Sequence, residues 1–190
     1  MPVMLLDQKE KALLLSISRQ ALENGVKGHS LPDLNLDLMT ESLQEIGASF
    51  VTLTRGGDLR GCIGALEAYQ PLALDVQYHA VAAALEDYRF PPVKPDELPK
   101  IDIEISRLTP PVHITYNDPE ELLTILRPGI DGVIIKDGRQ RATFLPQVWD
   151  KIPGAESFLN QLCQKMGVFP DTWRRKHLEV LTYQVEEFHE

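Results

Sequence analysis

Two stretches of this chain carry the same punctuation, and that recurrence restricts the fold more than any other feature. Residues 49–55 alternate β-branched or aromatic positions with others and run into Gly56, Gly57 and Asp58, after which residues 59–63 read as a returning strand. Residues 132–136 run in the same way into Asp137 and Gly138, with residues 140–144 returning. Glycine reaches the positive φ of a tight hairpin at no steric cost, so each stretch predicts two antiparallel strands joined by a short turn. Superposing the turns sets Arg60-Gly61-Cys62-Ile63 against Arg141-Ala142-Thr143-Phe144: arginine, two small residues, then an apolar one.

The pattern downstream of each hairpin also repeats. Pro71 suits the first turn of a helix. Leu74, Tyr78, Val81, Leu85 and Tyr88 then mark one apolar face and Leu72, Val76, Ala80 and Ala83 another, the pattern of a helix buried between layers. Pro91, Pro92 and Pro95 end it, and Ile101, Ile103 and Ile105 alternate with Asp102, Glu104 and Ser106 in a strict period of two, a strand. After the second hairpin, Phe158, Leu159, Leu162, Cys163 and Met166 form an apolar stripe stopped by Gly167, and residues 178–188 read as one long closing strand. Between the two, Asp118 caps a short helix through Leu122, Leu123 and Leu126 that Gly129 closes.

The expected fold is therefore α+β: two similar β-β-α-β subdomains, at about residues 41–110 and 118–190, within one domain of 190 residues. Small mixed or antiparallel sheets pack against helices, and a cleft between the halves is the natural ligand site. A helix at about residues 8–24 precedes them, opened by the Asp7-x-x-Glu10 box and stopped at Gly25, and residues 26–40 read as a surface connection.

With 28 acidic against 19 basic side chains the net charge is −9, a field that repels phosphate backbones and anionic lipid and argues against nucleic-acid binding. The one dense basic run, Arg174, Arg175 and Lys176 with His177, reads as a solvated turn. Residues 1–6 lack the basic start of a secretion signal, and no apolar run approaches the roughly 20 residues that cross a bilayer. The cytoplasm is then the simplest compartment. Cys62 and Cys163 form no CxxC pair and no His/Cys metal cluster, so both are expected as free thiols.

Chemistry concentrates in Leu59-Arg60-Gly61-Cys62-Ile63-Gly64, where two glycines interrupt a strand that otherwise wants side chains to pack. Strand alternation puts Arg60 and Cys62 on one face, and a guanidinium beside a thiol favours the thiolate. The same residues also fit a buried cysteine, an arginine paired with a carboxylate and glycines placed for close packing. Glu104 lies on the polar face of the period-two strand, where it meets solvent or lines the cleft. Cys163 reads as core and His79 as structural. No P-loop, GxGxxG, HExxH, GxSxG or EF-hand pattern occurs, so nothing demands a cofactor.

These residues carry a resemblance. Leu59 to Gly64 reads LRGCIG and is similar to the signature of the AMMECR family, also called AmmeMemoRadiSam system protein A. Asp87-Tyr88-Arg89-Phe90-Pro91-Pro92 resembles the family's D-x-RF-P-P stretch, Glu97-Leu98 its EL, Ile103 to Ser106 its IEIS, and Leu145 to Trp149 its LPQVW, across residues 50–188. The resemblance implies a two-subdomain α+β unit with a duplicated β-α arrangement. It also implies a pathway or complex shared with a radical SAM protein and a Memo-like protein, itself of a family resembling metal-dependent dioxygenases. It makes Arg60, Gly61, Cys62 and Gly64 site candidates, with Asp87, Arg89 and Glu104 behind them. The family name implies neighbours rather than a reaction, and two functions stay open. One is a module that binds a ligand or partner through the glycine-rich strand and cleft; the other is a thiol-dependent enzyme or redox protein using Cys62, with Arg60 stabilising negative charge and Glu104 handling protons or orienting substrate.

Overall fold

The computed structural model describes residues 5–190, so the expectation that no secretion signal opens the chain lies, for residues 1–4, outside the described residues. The chain divides into two compact units, one running to Thr109 and including Glu186–Glu190, the other spanning Pro110–Val185.

In the first unit, α1 (Gln8–Val26) opens on a capping box in which the Asp7 carboxylate accepts from the Glu10 amide at 2.8 Å and the Glu10 carboxylate from the Asp7 amide at 2.7 Å. The helix runs through Gly25 instead of stopping there, and the chain turns at Gly28, whose φ is +72°. Packing explains the glycine: a Cβ at Gly25 would lie 2.8 Å from Val81 Cγ1. After the short α2 (Glu41–Gln44) come β1 (Ile46–Arg55), a turn with positive φ at both Gly56 and Gly57, and β2 (Asp58–Gly64). Positive φ at both central residues is the primed turn that matches strand twist. A two-residue β3 (Gln70–Pro71) pairs with the start of β1, and α3 (Leu72–Leu85) and β4 (Ile101–Leu108) complete the β-β-α-β run.

The second unit holds β5 (Val112–Ile114), α4 (Leu122–Ile125), β6 (Gly132–Asp137), β7 (Gln140–Phe144), α5 (Ala155–Met166), α6 (Thr172–Arg175) and β8 (Glu179–Tyr183). Asp118 caps the helical turn before α4 by accepting from the Glu120 amide. Because Asp137 pairs with Gln140, the loop residues are Gly138 and Arg139, one position later than expected, and only Gly138 has positive φ. Gly167 ends α5 in the left-handed conformation. The expected closing strand breaks at Gln184: β8 stays in the second unit's sheet, while β9 (Val185–His189) joins the first.

The sheets are antiparallel, in the orders β2-β1-β4-β9 and β5-β8-β6-β7, so β-β-α-β recurs as β1-β2-α3-β4 and β6-β7-α5-β8. In the first unit Val51, Leu53, Ile103 and Ile105 form the covered face of the sheet; they share one core with Val76, Ala80 and Ala83 of α3 and Leu14, Ala21 and Leu22 of α1. Small alanines let α3 sit between α1 and the sheet, and each fully buried aliphatic contributes roughly 1.5–3 kcal/mol. The other expected apolar face of α3 is only partly covered: Val81 packs against the core, Tyr78 and Leu85 are exposed, and Tyr88 lies beyond the helix end. The second core centres on Phe158, Leu159, Leu162 and Trp149, with the Trp149 and Phe158 rings stacked at 3.6 Å. Among the described residues no helix is long and apolar enough to cross a membrane.

Candidate functional site

The geometry around Cys62 begins with an irregular register. Leu53 pairs with Gly61 and Thr54 with Leu59, so Arg60 is an extra residue and β2 bulges there. The bulge breaks the alternation that would have set Arg60 beside the thiol. Beyond it the register is regular: Cys62 opposes Thr52, and Thr52 opposes Glu104 on β4. Val51, Leu53, Ile103 and Ile105 take the α3 side, so Thr52, Cys62 and Glu104 form a row on the opposite face. All three are half-buried.

Thr52 Oγ1 donates to Cys62 Sγ at 3.2 Å. Two strand spacings, roughly 10 Å, separate the backbones of Cys62 and Glu104, so Thr52 stands between thiol and carboxylate. Thr52 escaped sequence reasoning because its place depends on the pairing of three strands. The Glu104 side chain makes no hydrogen bond or ion pair with the described residues.

Asp87 and Arg89 meet Cys62 through its backbone. The Asp87 carboxylate, with its side chain 3% exposed, accepts from the Cys62 amide at 2.9 Å and from Arg89 Nε and Nη2 at 2.9 and 2.7 Å. Arg89 Nη2 also donates to the Cys62 carbonyl at 3.3 Å. The Arg89 hydrogen bonds hold the Asp87 carboxyl well below the usual carboxylate range against the opposing effect of burial. Arg89 is raised in turn, chiefly by its hydrogen bonds to the Asp87 carboxylate.

Arg60 is engaged elsewhere. Its Nε and Nη2 form a fork on Glu97 at 2.9 and 3.0 Å, Arg55 shares the same carboxylate, and Nη1 is buried with no hydrogen-bond partner among the described residues. These contacts pull the Glu97 carboxyl down to about 2. Both glycines of the motif have a packing reason: a Cβ at Gly61 would lie 2.0 Å from the Ala83 carbonyl oxygen, and one at Gly64 would lie 2.4 Å from Phe50 Cγ.

Cys163 is fully buried in the second core, and burial pushes its thiol up. His79 is buried against Asp75, whose carboxylate also accepts from Ser49 at 2.6 Å, a polar cluster inside the first unit. The basic run is matched by acids: Arg174 with Glu120 and Glu156, Arg175 with Asp171, Lys176 with Asp137. Among the described residues, no three His, Cys, Asp or Glu side chains gather as metal ligands.

The matching row of the second unit is Thr143, Ile134 and Leu181, which carries neither thiol nor carboxylate. The thiol and carboxylate of the first unit's row have no counterpart at these positions of the second.

A family model described as AMMECR1 matches residues 15–188. A protein of Methanothermobacter thermautotrophicus is 40% identical over 190 aligned residues, covering 97% of this chain and 96% of its own. Protein MJ0810 of Methanocaldococcus jannaschii is 35% identical, with 98% and 92% covered. The crystal structure of the uncharacterized protein PH0010 from Pyrococcus horikoshii matches with a TM-score of 0.75 at 33% identity, over 97% of this chain and 93% of that one.

Proposed function

The chain belongs to the AMMECR1 family, and on that premise we propose that it is a binding module whose recognition surface is the row Thr52, Cys62 and Glu104. The observation that carries this reading is the state of Glu104. Its side chain is half-buried in the sheet face and unpaired among the described residues, whereas Arg55 and Arg60 pair with Glu97 and Arg89 pairs with Asp87. A carboxylate held ready in this way suits a cationic or hydrogen-bond-donating group of a ligand or partner.

In this reading the chain is the A component of an AmmeMemoRadiSam system, LRGCIG is its signature, and its partners are a cytoplasmic radical SAM protein and a Memo-like protein. The test is titration of each purified partner against wild-type protein and Glu104→Gln. Loss of a charged hydrogen bond weakens association about tenfold. No association with either partner, or a Glu104→Gln variant that binds like wild type, sinks the proposal.

The Thr52 hydroxyl donating to Sγ favours a second reading, a thiol-dependent enzyme or redox protein using Cys62. Arg89 then takes the charge role first given to Arg60, and Glu104 orients the substrate. Folded protein in which Cys62 alkylates no faster than Cys163 would remove this reading.

A further inference from the structure

We infer that Asp87 and Arg89 are the positioning residues of the Cys62 site: they clamp the Cys62 peptide from the open edge of the sheet and thereby hold the thiol against Thr52. The inference rests on reading the Thr52, Cys62 and Glu104 row as the working surface.

β2 ends its sheet, so every second residue points its amide and carbonyl out of the ladder. Cys62 is one of these, because both groups are taken by side chains from the segment after α3. In an antiparallel pair a residue oriented this way faces its partner without ladder bonds, at a Cα separation of about 4.5 Å, which brings the two side chains close. The backbone orientation that the clamp seizes is therefore the one that delivers Sγ to Thr52 Oγ1. Asp87 accepts as a neighbouring strand's carbonyl would, and Arg89 donates as its amide would.

The second unit shows what sealing an edge requires by itself. Thr143 occupies the place of Cys62 on the edge strand β7, and its carbonyl accepts from Lys165 Nζ at 2.9 Å. Among the described residues no carboxylate takes the Thr143 amide. A lone cation closes the strand that lacks the thiol; the carboxylate and guanidinium together grip the strand that has it. Asp87 is itself almost fully buried, and its four donor contacts come from the Cys62 amide and from the amide, Nε and Nη2 of Arg89, so carboxylate, guanidinium and peptide lock one another.

The test reads amide exchange at Cys62 by NMR and alkylation of its thiol in wild type, Arg89→Ala and Arg89→Lys, each well below its melting temperature. Loss of the fork lowers amide protection in Arg89→Ala about tenfold. Removal of the charge that touches the Cys62 carbonyl slows alkylation about fivefold. Arg89→Lys keeps the charge but not the fork, so it recovers alkylation only in part and leaves the amide loosened. A wild-type amide that exchanges like a free peptide overturns the inference. So does an Arg89→Ala protein with lost protection and wild-type alkylation, which leaves an edge seal alone. Partner binding is measured separately, so a wild-type protein that binds neither partner defeats the binding-module reading while both readouts still judge the clamp.

Discussion

Gly61 lies directly beneath the backbone of Ala83: an ideal Cβ on Gly61 would sit 2.0 Å from the Ala83 carbonyl oxygen. Backbone cannot yield as a side-chain tip can, so Gly61→Ala must displace α3 or distort β2. The expected cost is about 3 kcal/mol or more, at the upper end for overpacking, measured by urea unfolding. Ala142, in the matching place after the second turn, already carries a Cβ, and Ala142→Gly should cost only about 1 kcal/mol. A Gly61→Ala protein as stable as wild type would show that α3 does not rest on this strand.

Glu97 makes stability depend on acid. Its folded value, about 2, lies below that of an unfolded glutamate because Arg60 and the Lys94 amide hydrogen-bond its carboxylate. A depressed carboxyl stabilises the fold fully above its unfolded value, near 4.3, and loses that contribution as pH falls toward the folded one. Stability from this source should decline between about pH 4.5 and pH 2, by on the order of 2–3 kcal/mol at most. Glu97→Gln should start lower at pH 6 and fall less over that window. Equal acid slopes in the two proteins would contradict the pairing.

The hydroxyl of Thr52 is the neighbour in contact with Cys62 Sγ. Thr52→Val keeps the β-branched shape, so stability should change by less than about 1 kcal/mol. Alkylation of Cys62 should slow about threefold, the worth of one modest hydrogen bond to the thiolate. An unchanged rate would mean that the contact does not touch the reactivity of the thiol.

Much of the framework was legible because it is local. Glycine pairs marked the first hairpin, the strict alternation of residues 101–106 marked β4, and Gly167 marked the end of α5. The features that stayed hidden were set by contacts across long separations. Gly25 looked like a helix stop but serves the approach of Val81; Arg60 looked like a thiol partner, but it is the extra residue of the bulge and pairs with Glu97. Residues 178–188 carry a continuous strand pattern, yet the chain changes sheets at Gln184. Asp87 and Arg89 were visible as motif residues, but their grip on the Cys62 backbone was not, since nothing in residue type distinguishes a side chain that binds another segment's peptide. Thr52 had no distinguishing signal at all.

The most direct test of the Thr52, Cys62 and Glu104 surface is a footprint: the time course of alkylation at Cys62 and Cys163, followed by mass spectrometry, with and without a saturating radical SAM or Memo-like partner. If the row is a recognition surface, Cys62 labels readily in the free protein, the buried Cys163 stays silent, and the bound partner slows Cys62 alone. Labelling of Cys62 at the same rate in the complex as in the free protein would place the partner elsewhere and contradict the assignment.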